Sequence, residues 1–227
     1  MKPPMEPRRI GRSILDVVAA SPLFVTAPLW RRWHQRWGAT DQEVRGLMPG
    51  DDLLAAPSFK ATRAITIKTP PERVWPWIVQ VGYDRAGFYS YDLFDHGARP
   101  SARRIMPEFQ DPKLGDWVAM YSKVNEATAF KVNTFVPPEW MLWTKPDSTW
   151  AWKLVPLEGG RATRLVTRLK ANYDWSSPSS ALLSLVLLEF GDFPMMRRML
   201  RGLKQRAEQA AGVHSAATGE DAADAQR

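Results

Sequence analysis

Residues 61–92 read ATRAITIKTPPERVWPWIVQVGYDRAGFYSYD, and their punctuation decides the fold. Thr62–Ile67 is β-branched and alternating, which predicts a strand with Arg63, Ile65 and Ile67 on one face. Thr69 is the expected helix cap. Pro70 and Pro71 stand at the first helical positions, where a missing N–H is harmless, and Glu72 complements the helix dipole. The helix is expected to run to about Val81, burying Val74, Trp77, Ile78 and Val81. Pro76 should kink it, and Gly82 ends it. Ala86–Phe94, AGFYSYDLF, then enters a second short helix.

Downstream, the pattern changes to strands. Leu114–Tyr121, Ala129–Phe135, Trp140–Thr144, Thr149–Leu157 and Arg161–Lys170 are separated by Pro-Pro, Lys-Pro-Asp and Glu-Gly-Gly turns. Alternation points Trp150, Trp152 and Leu154 inward and Thr149, Ala151 and Lys153 to water. It likewise turns Thr163, Leu165, Thr167 and Leu169 inward and Arg164, Arg168 and Lys170 outward. Phe130, Val132 and Thr134 face in, with Lys131 and Asn133 out. An antiparallel sheet with one wet face has this signature. Residues 96–113 form an irregular loop, long enough to act as a lid or mouth. Ser177–Gly212 is helical in composition, divided by Gly191 and Pro194. Its second half carries Met196, Leu200, Leu203 and Ala207 on one stripe.

Upstream, residues 1–12 are Pro- and Arg-rich, a composition of disordered chain. Ser13–Trp30, SILDVVAASPLFVTAPLW, is apolar but interrupted by Asp16, Pro22 and Pro28. It makes a poor transmembrane helix and a weak signal peptide. In the following WRRWHQRW, a helix would place Trp30, Trp33 and Trp37 on one face, with Arg32 and Arg36 off it. Two readings stand for this segment: packing on the domain, or contact with a membrane surface through Trp30, Arg32, Trp33 and Arg36. Thr40 and Glu43 form a capping box for a fresh helical start. Residues 53–60 lead in loosely, and residues from Val213 are expected to be disordered.

The 227 residues carry 31 Lys and Arg against 24 Asp and Glu, a net +7. Seven basic and two acidic residues fall in 1–37, whereas 38–196 holds 18 of each. The globular part is neutral, which argues against a nucleic-acid groove and for a surface-contacting terminus. The absence of Cys excludes disulfides and thiolate metal sites and accords with a reducing compartment. Eleven Trp, nine Phe and five Tyr supply ample core.

The element order, together with ATRAITI, PPERVWPWIVQVG and GFYSYD, resembles the START-like, polyketide-cyclase-like SRPBCC superfamily. More narrowly, Trp37–Glu43 (WGATDQE), Thr149–Trp152 and MRRMLRGL at 196–203 are similar to a bacterial subgroup of it. The resemblance covers residues 37–211. It implies an α+β helix-grip fold, a curved antiparallel sheet wrapped around a long C-terminal helix. The division it suggests is an extension at 1–37, a lead-in at 38–60, the domain at 61–211 and a tail at 212–227. Members bind lipids, sterols, polyketides or other hydrophobic molecules in a cavity, and some are cyclases or hydrolases.

No phosphate loop, nucleophile elbow or dinucleotide fingerprint is present. His34, His96 and His214 lack metal spacing, so no metal and no cofactor is expected. Asp92 and His96 are the candidates for an acid–base pair, against the plainer reading of a solvated acidic helix face. Trp77, Phe88, Tyr89, Tyr91, Trp117, Phe130, Trp152 and Met196 are the candidate ligand-binding residues. They would line a cavity, or fill it. The expectation is a carrier of a hydrophobic small molecule or lipid, cytoplasmic and associated with the inner membrane face through residues 13–37. The alternatives are a cyclase, dehydratase or hydrolase, and a membrane-peripheral interaction domain. Nucleic acid is not an expected partner, and the sequence leaves oligomeric state open.

Overall fold

A six-stranded antiparallel sheet in the order β1-β6-β5-β4-β3-β2 organises the chain. The computed structural model describes the backbone of residues 7–224 and the side chains of residues 14–212. Strand β1 (Phe59–Ile67) pairs with β6 (Ala162–Ala171), and β6 with β5 (Ser148–Leu157). Then follow β4 (Trp140–Lys145), β3 (Ala129–Val136) and β2 (Trp117–Ala119). Between β1 and β2 lie α4 (Pro71–Val79) and α5 (Asp92–Asp95). After β6 come α6 (Pro178–Leu185), a wide π turn at Val186–Gly191 and α7 (Asp192–Asp224). The curved sheet holds α7 against its inner face, which makes this the expected α+β helix-grip architecture.

The inner face is as alternation predicts for β5 and β6. Trp150, Trp152, Leu154 and Leu165 join Trp77, Ile78 and Phe88, and α7 adds Met196, Met199, Leu200 and Leu203. Two parity expectations fail. A bulge between Val132 and Thr134 shifts β3, so Phe135 packs on the core and Thr134 pairs opposite Leu142 of the outer face. Strand β2 is only three residues long and buries Val118, leaving Trp117 39% exposed under the Lys131 ammonium.

The outer face is not wet. Met48, with Ala39 and Trp140, packs on Ala64, Leu142, Ala151 and Val166. The lead-in is therefore a strap rather than a loose segment. Thr40 forms the expected capping box at α3 (Asp41–Arg45). Arg164 donates to Glu43 at 2.7 Å. Arg168 pairs with Asp51 and donates to the carbonyls of Glu43, Val44 and Gly46. Lys170 donates to the Asp51 carbonyl. These cations take carboxylates and carbonyls in place of water.

The strap also closes the sheet edge. The backbone N–H groups of Thr62 and Ala64 donate to Gln35 and Trp37, covering an otherwise open strand. Gly38 has φ +73, and a Cβ there would stand 2.1 Å from the Ala64 carbonyl oxygen, so only glycine fits. Beneath it, Arg63 is buried, ion-paired to Asp192 at 2.6 Å, and donates to the His34 carbonyl. His34 is buried and stacks on Phe193 at 5.1 Å.

Other corrections are local. Pro70, not Thr69, is the N-cap of α4, and the helix stops at Val79. A continuous helix starts at Pro7 (α1, Pro7–Thr26), where a disordered segment is expected; residues 1–6 lie outside the described ones. The backbone of α7 continues helical through the Ala-rich stretch to Asp224, although a disordered tail is expected from Val213. Gly191 and Pro194 do not break the C-terminal helix, because the π turn just before absorbs the irregularity. Residues 96–113 are no free lid. Gln80 accepts from Met106 N–H at 2.9 Å and donates to the Arg104 carbonyl, and Ala102 N–H bonds the Ala86 carbonyl.

Candidate functional site

The space between sheet and α7 is occupied by rings. Trp150 and Trp152 lie 5.0 Å apart between centroids, Trp143 sits 5.3 and 5.4 Å from them, and Phe130 is 5.8 Å from Trp150. Trp77, Phe88, Phe130, Trp152 and Met196, all expected at a cavity wall, are buried in this cluster. These rings pack on one another across the grip. The Trp150 indole donates to Thr167 at 2.9 Å. The buried indole N–H groups of Trp143 and Trp152 find no acceptor among the described residues.

Tyr89 belongs to the same wall but its hydroxyl is committed. It donates to the Trp77 carbonyl at 3.0 Å and accepts from Gln80 at 2.9 Å, while Arg206 lies over the ring. Burial raises its pKa further above the ordinary tyrosine value. A Cβ on Gly202 would fall 2.3 Å from the Tyr89 carbonyl oxygen, so a glycine lets α7 press on this segment.

Of the candidate acid–base pair, Asp92 is half-buried and His96 is buried. The Asp92 carboxylate accepts from the Ser101 hydroxyl at 2.5 Å. His96 is fully buried, edge-on to Tyr83 at 6.1 Å. Neither residue lines either of the surface grooves described below. The titratable group that stands out is Asp95, which lies beside Asp92 and His96 in the same short segment. Burial, with the Asp92 charge adding, pushes its carboxyl up to about 8. Among the described residues, no group of three His, Asp or Glu could hold a metal ion.

Two grooves open at the surface among the described residues. One, about 310 Å³, runs between Trp117, Lys131 and Lys145. The other, about 560 Å³, separates α1 from the first turns of α7. Asp16, Ala20 and Leu23 form one side, and Tyr91, Arg197 and Arg198 the other. Of the candidate ligand residues, Trp117 reaches the first groove and Tyr91 the second. The Tyr91 ring packs on Phe24 at 5.6 Å and carries the Arg198 guanidinium at 4.4 Å.

Helix α1 is apolar on both sides. Val17, Ala20, Leu23 and Phe24 turn toward the domain, and Asp16 is ion-paired to Arg198 at 2.6 Å. Leu15, Val18, Pro22, Val25 and Leu29, spaced by alternating threes and fours, form a stripe left open; Leu29 is 79% exposed. The next helical turns place Trp30 and Trp33 outward. Trp37 does not share their face, because α2 (Arg31–His34) ends before it; its ring lies under Arg197 and Arg201. Arg32 is exposed, while Arg36 is paired with Asp41.

The π turn after α6 abuts α1, and Arg31 pairs with Glu189 there at 2.9 Å. Helix α6 leaves Leu182 and Leu183 uncovered and the π turn leaves Leu187, with Trp175 just before α6 71% exposed. Two helical segments that adjoin although far apart in sequence therefore both present apolar side chains outward. Ile14–His34 and Pro178–Gly212 are long and apolar enough to cross a membrane by length and composition. The second includes the core stripe of α7, which is buried in the grip.

No protein-family model and no curated protein matches this chain. Among solved structures, it is similar to the ZhuI aromatase/cyclase of Streptomyces sp. R1128, at 12% identity and a TM-score of 0.42, over 67% of this chain and 95% of that one. A polyketide-cyclase-like protein of Corynebacterium glutamicum aligns at 14% identity and 0.43, over 68% and 94%. A Bacillus halodurans protein gives 14% and 0.43, over 67% and 99%. These distant likenesses concern the fold, not a ligand or a reaction.

Proposed function

We propose that the protein is a peripheral membrane protein whose helix-grip domain docks on a lipid surface through α1, the turns after it and α6. The observation that carries this reading is the uncovered apolar side chains on those adjoining helices, with Leu29 79% and Trp175 71% exposed. Monomeric soluble proteins rarely leave contiguous apolar patches of this kind. The charge pattern selects the bilayer as occupant. Residues 1–37 carry a net +5 in sequence, while 38–196 are neutral. Trp30 and Trp33 beside Arg32 give the aromatic and basic mixture that suits the headgroup region. Asp16, paired to Arg198 across the groove, holds α1 along the domain, which favours a helix lying on the bilayer over one that crosses it. The anionic inner leaflet is the surface that this charge suits.

The hydrophobic ligand of this protein is accordingly a lipid met at the surface. A second reading, a hydrophobic molecule held inside the grip, draws support from the orphaned indole N–H groups of Trp143 and Trp152. It requires the rings to part, and a lipid carried through purification in native mass spectra would distinguish it.

Flotation of the full chain with phosphatidylcholine–phosphatidylglycerol vesicles tests docking. The chain is expected to float, and the double substitution Leu182→Ser/Leu183→Ser to lower partitioning at least about tenfold, since burying an aliphatic side chain contributes about 1.5–3 kcal/mol. A parent protein that stays in the dense fraction overturns the reading.

A further inference from the structure

Arg197 and Arg198 are adjacent in sequence but differ in what surrounds them. Arg198 is satisfied: Asp16 takes one end of its guanidinium at 2.6 Å and its Nε donates to the Ser90 carbonyl at 3.1 Å. Arg197 lines the same groove, yet it forms no ion pair among the described residues, and its Nε is buried without an acceptor. It shares the Trp37 ring with a cation of like sign, Arg201, the two lying over it at 5.8 and 5.7 Å. Desolvation, and then Arg201, lower the Arg197 pKa. A buried guanidinium N–H without an acceptor is destabilising, and the partner missing here is an anion. Guanidinium binds phosphate through two parallel N–H donors, which makes phosphate a better fit than a point charge.

The other wall of the groove says what the anion is attached to. Ala19, Ala20, Pro22 and Leu23 of α1 are apolar, and beyond them lies the uncovered stripe of the same helix. A free phosphate would satisfy Arg197 and leave that wall bare. An amphiphile with a phosphate at one end satisfies both.

We propose that the α1–α7 groove holds the phosphate of an anionic lipid headgroup, with Arg197 as its principal ligand and Arg201 as an outer one. This rests on the docking reading above, to which it adds the headgroup chemistry. Arg198 and Asp16 fix the groove width, and Tyr91 closes its floor. Docking then has two separate parts: apolar contact by α1 and α6, which any bilayer supports, and phosphate capture, which selects lipid type.

Calorimetric titration of the full chain with monomeric dihexanoylphosphatidylglycerol is the direct test, with inorganic phosphate as the second arm. The lipid monomer is expected to bind, and inorganic phosphate to bind at least about tenfold more weakly. Arg197→Gln should lower lipid affinity about tenfold or more, the scale of a lost charged hydrogen bond. Arg197→Lys should retain part of the affinity. Arg161→Gln, an exposed residue in the β5–β6 turn, should behave as the parent. Parent-like binding by Arg197→Gln, or equal affinity for lipid and inorganic phosphate, overturns the assignment. Flotation separates the two readings. A parent that floats but ignores the monomer loses the groove and keeps docking. A parent that binds the monomer but does not float keeps the groove and loses docking.

Discussion

Two regions of this molecule are equally apolar and have opposite fates. The grip interior gathers Trp77, Trp143, Trp150 and Trp152 with the α7 stripe and seals them. Helices α1 and α6 are apolar too, rich in Leu and Val, with Trp30, Trp33 and Trp175 close by in sequence, and leave many of these side chains open. The difference is partnership. Each inward residue of β5 meets an inward residue of β4 or β6 across the sheet and α7 above it, so its burial is complete within the chain. Helix α1 is apolar on both sides but has the domain on only one of them. A helix that is apolar all round needs a second apolar partner, and the described residues do not supply one.

The largest effect that would break the comparison is in the interior. Trp152 is fully buried between Trp143 and Trp150. Trp152→Ala should destabilise the protein by about 3–5 kcal/mol, the range for deleting a large aromatic from a packed core. Urea unfolding measures it. A loss under about 1 kcal/mol would mean the rings already tolerate a vacancy, and would revive the internal-ligand reading.

Much of the interior was legible because a two-residue period with β-branched and aromatic residues has one physical solution, a half-buried strand. The outer face was misread for a reason that recurs. Arg164, Arg168 and Lys170 alternate with apolar residues as solvent-facing cations do, but the Glu43 and Asp51 carboxylates and backbone carbonyls of the strap replace the solvent. Periodicity reports that a position is polar, not whether its partner is water or chain. Thr134 and Trp117 failed through a bulge and a three-residue strand, local events that reset parity without a sequence mark. At the candidate site, the apolar character of 13–30 and 181–190 was readable, but not that the two stretches adjoin. In sequence, Arg197 and Arg198 are adjacent cations of one run, and it is the positions of Asp16 and the Ser90 carbonyl that separate them.

A middle-sized effect belongs to the seam between the two regions, where Phe24 of α1 packs on Tyr91 and Phe94 around α5. Asp95 sits there, buried, with its carboxyl pushed up to about 8. The folded form holds a proton that the unfolded chain releases near the ordinary value of 3.8. Stability from this group is therefore fully present at low pH and is lost as pH rises through the window from 3.8 toward 8, by at most about 1.4 kcal/mol per pH unit. His34 runs the other way. Burial, then Arg63, lower its pKa, so its contribution is lost as pH falls below the ordinary histidine range. The clean readout is therefore a difference. Asp95→Asn should lose the downward slope between about pH 5 and about pH 8 that the parent shows on this account. Parallel urea midpoints for both proteins across that range would place Asp95 in water and loosen the seam.

The smallest effect is the sharpest test of the comparison, because it asks for nothing to happen. Leu182 and Leu183 are 63% and 60% exposed, so their side chains contribute little to the folded core. The Leu182→Ser/Leu183→Ser protein that should lose vesicle partitioning should keep its urea midpoint, each change staying within about 0.5 kcal/mol of the parent, as surface substitutions do. Small helix-propensity losses on exchanging Leu for Ser act in the destabilising direction and fall inside that margin. Unfolding is measured without lipid, since a ligand that binds only the folded form would add its own stabilisation. A loss of several kcal/mol would mean that α6 is covered in solution, by this chain or by a second copy. Sedimentation of the same two proteins decides which: a copy-covered patch gives a parent dimer and a monomeric variant, and the apolar surface would then be an interface between chains instead of a face turned to lipid.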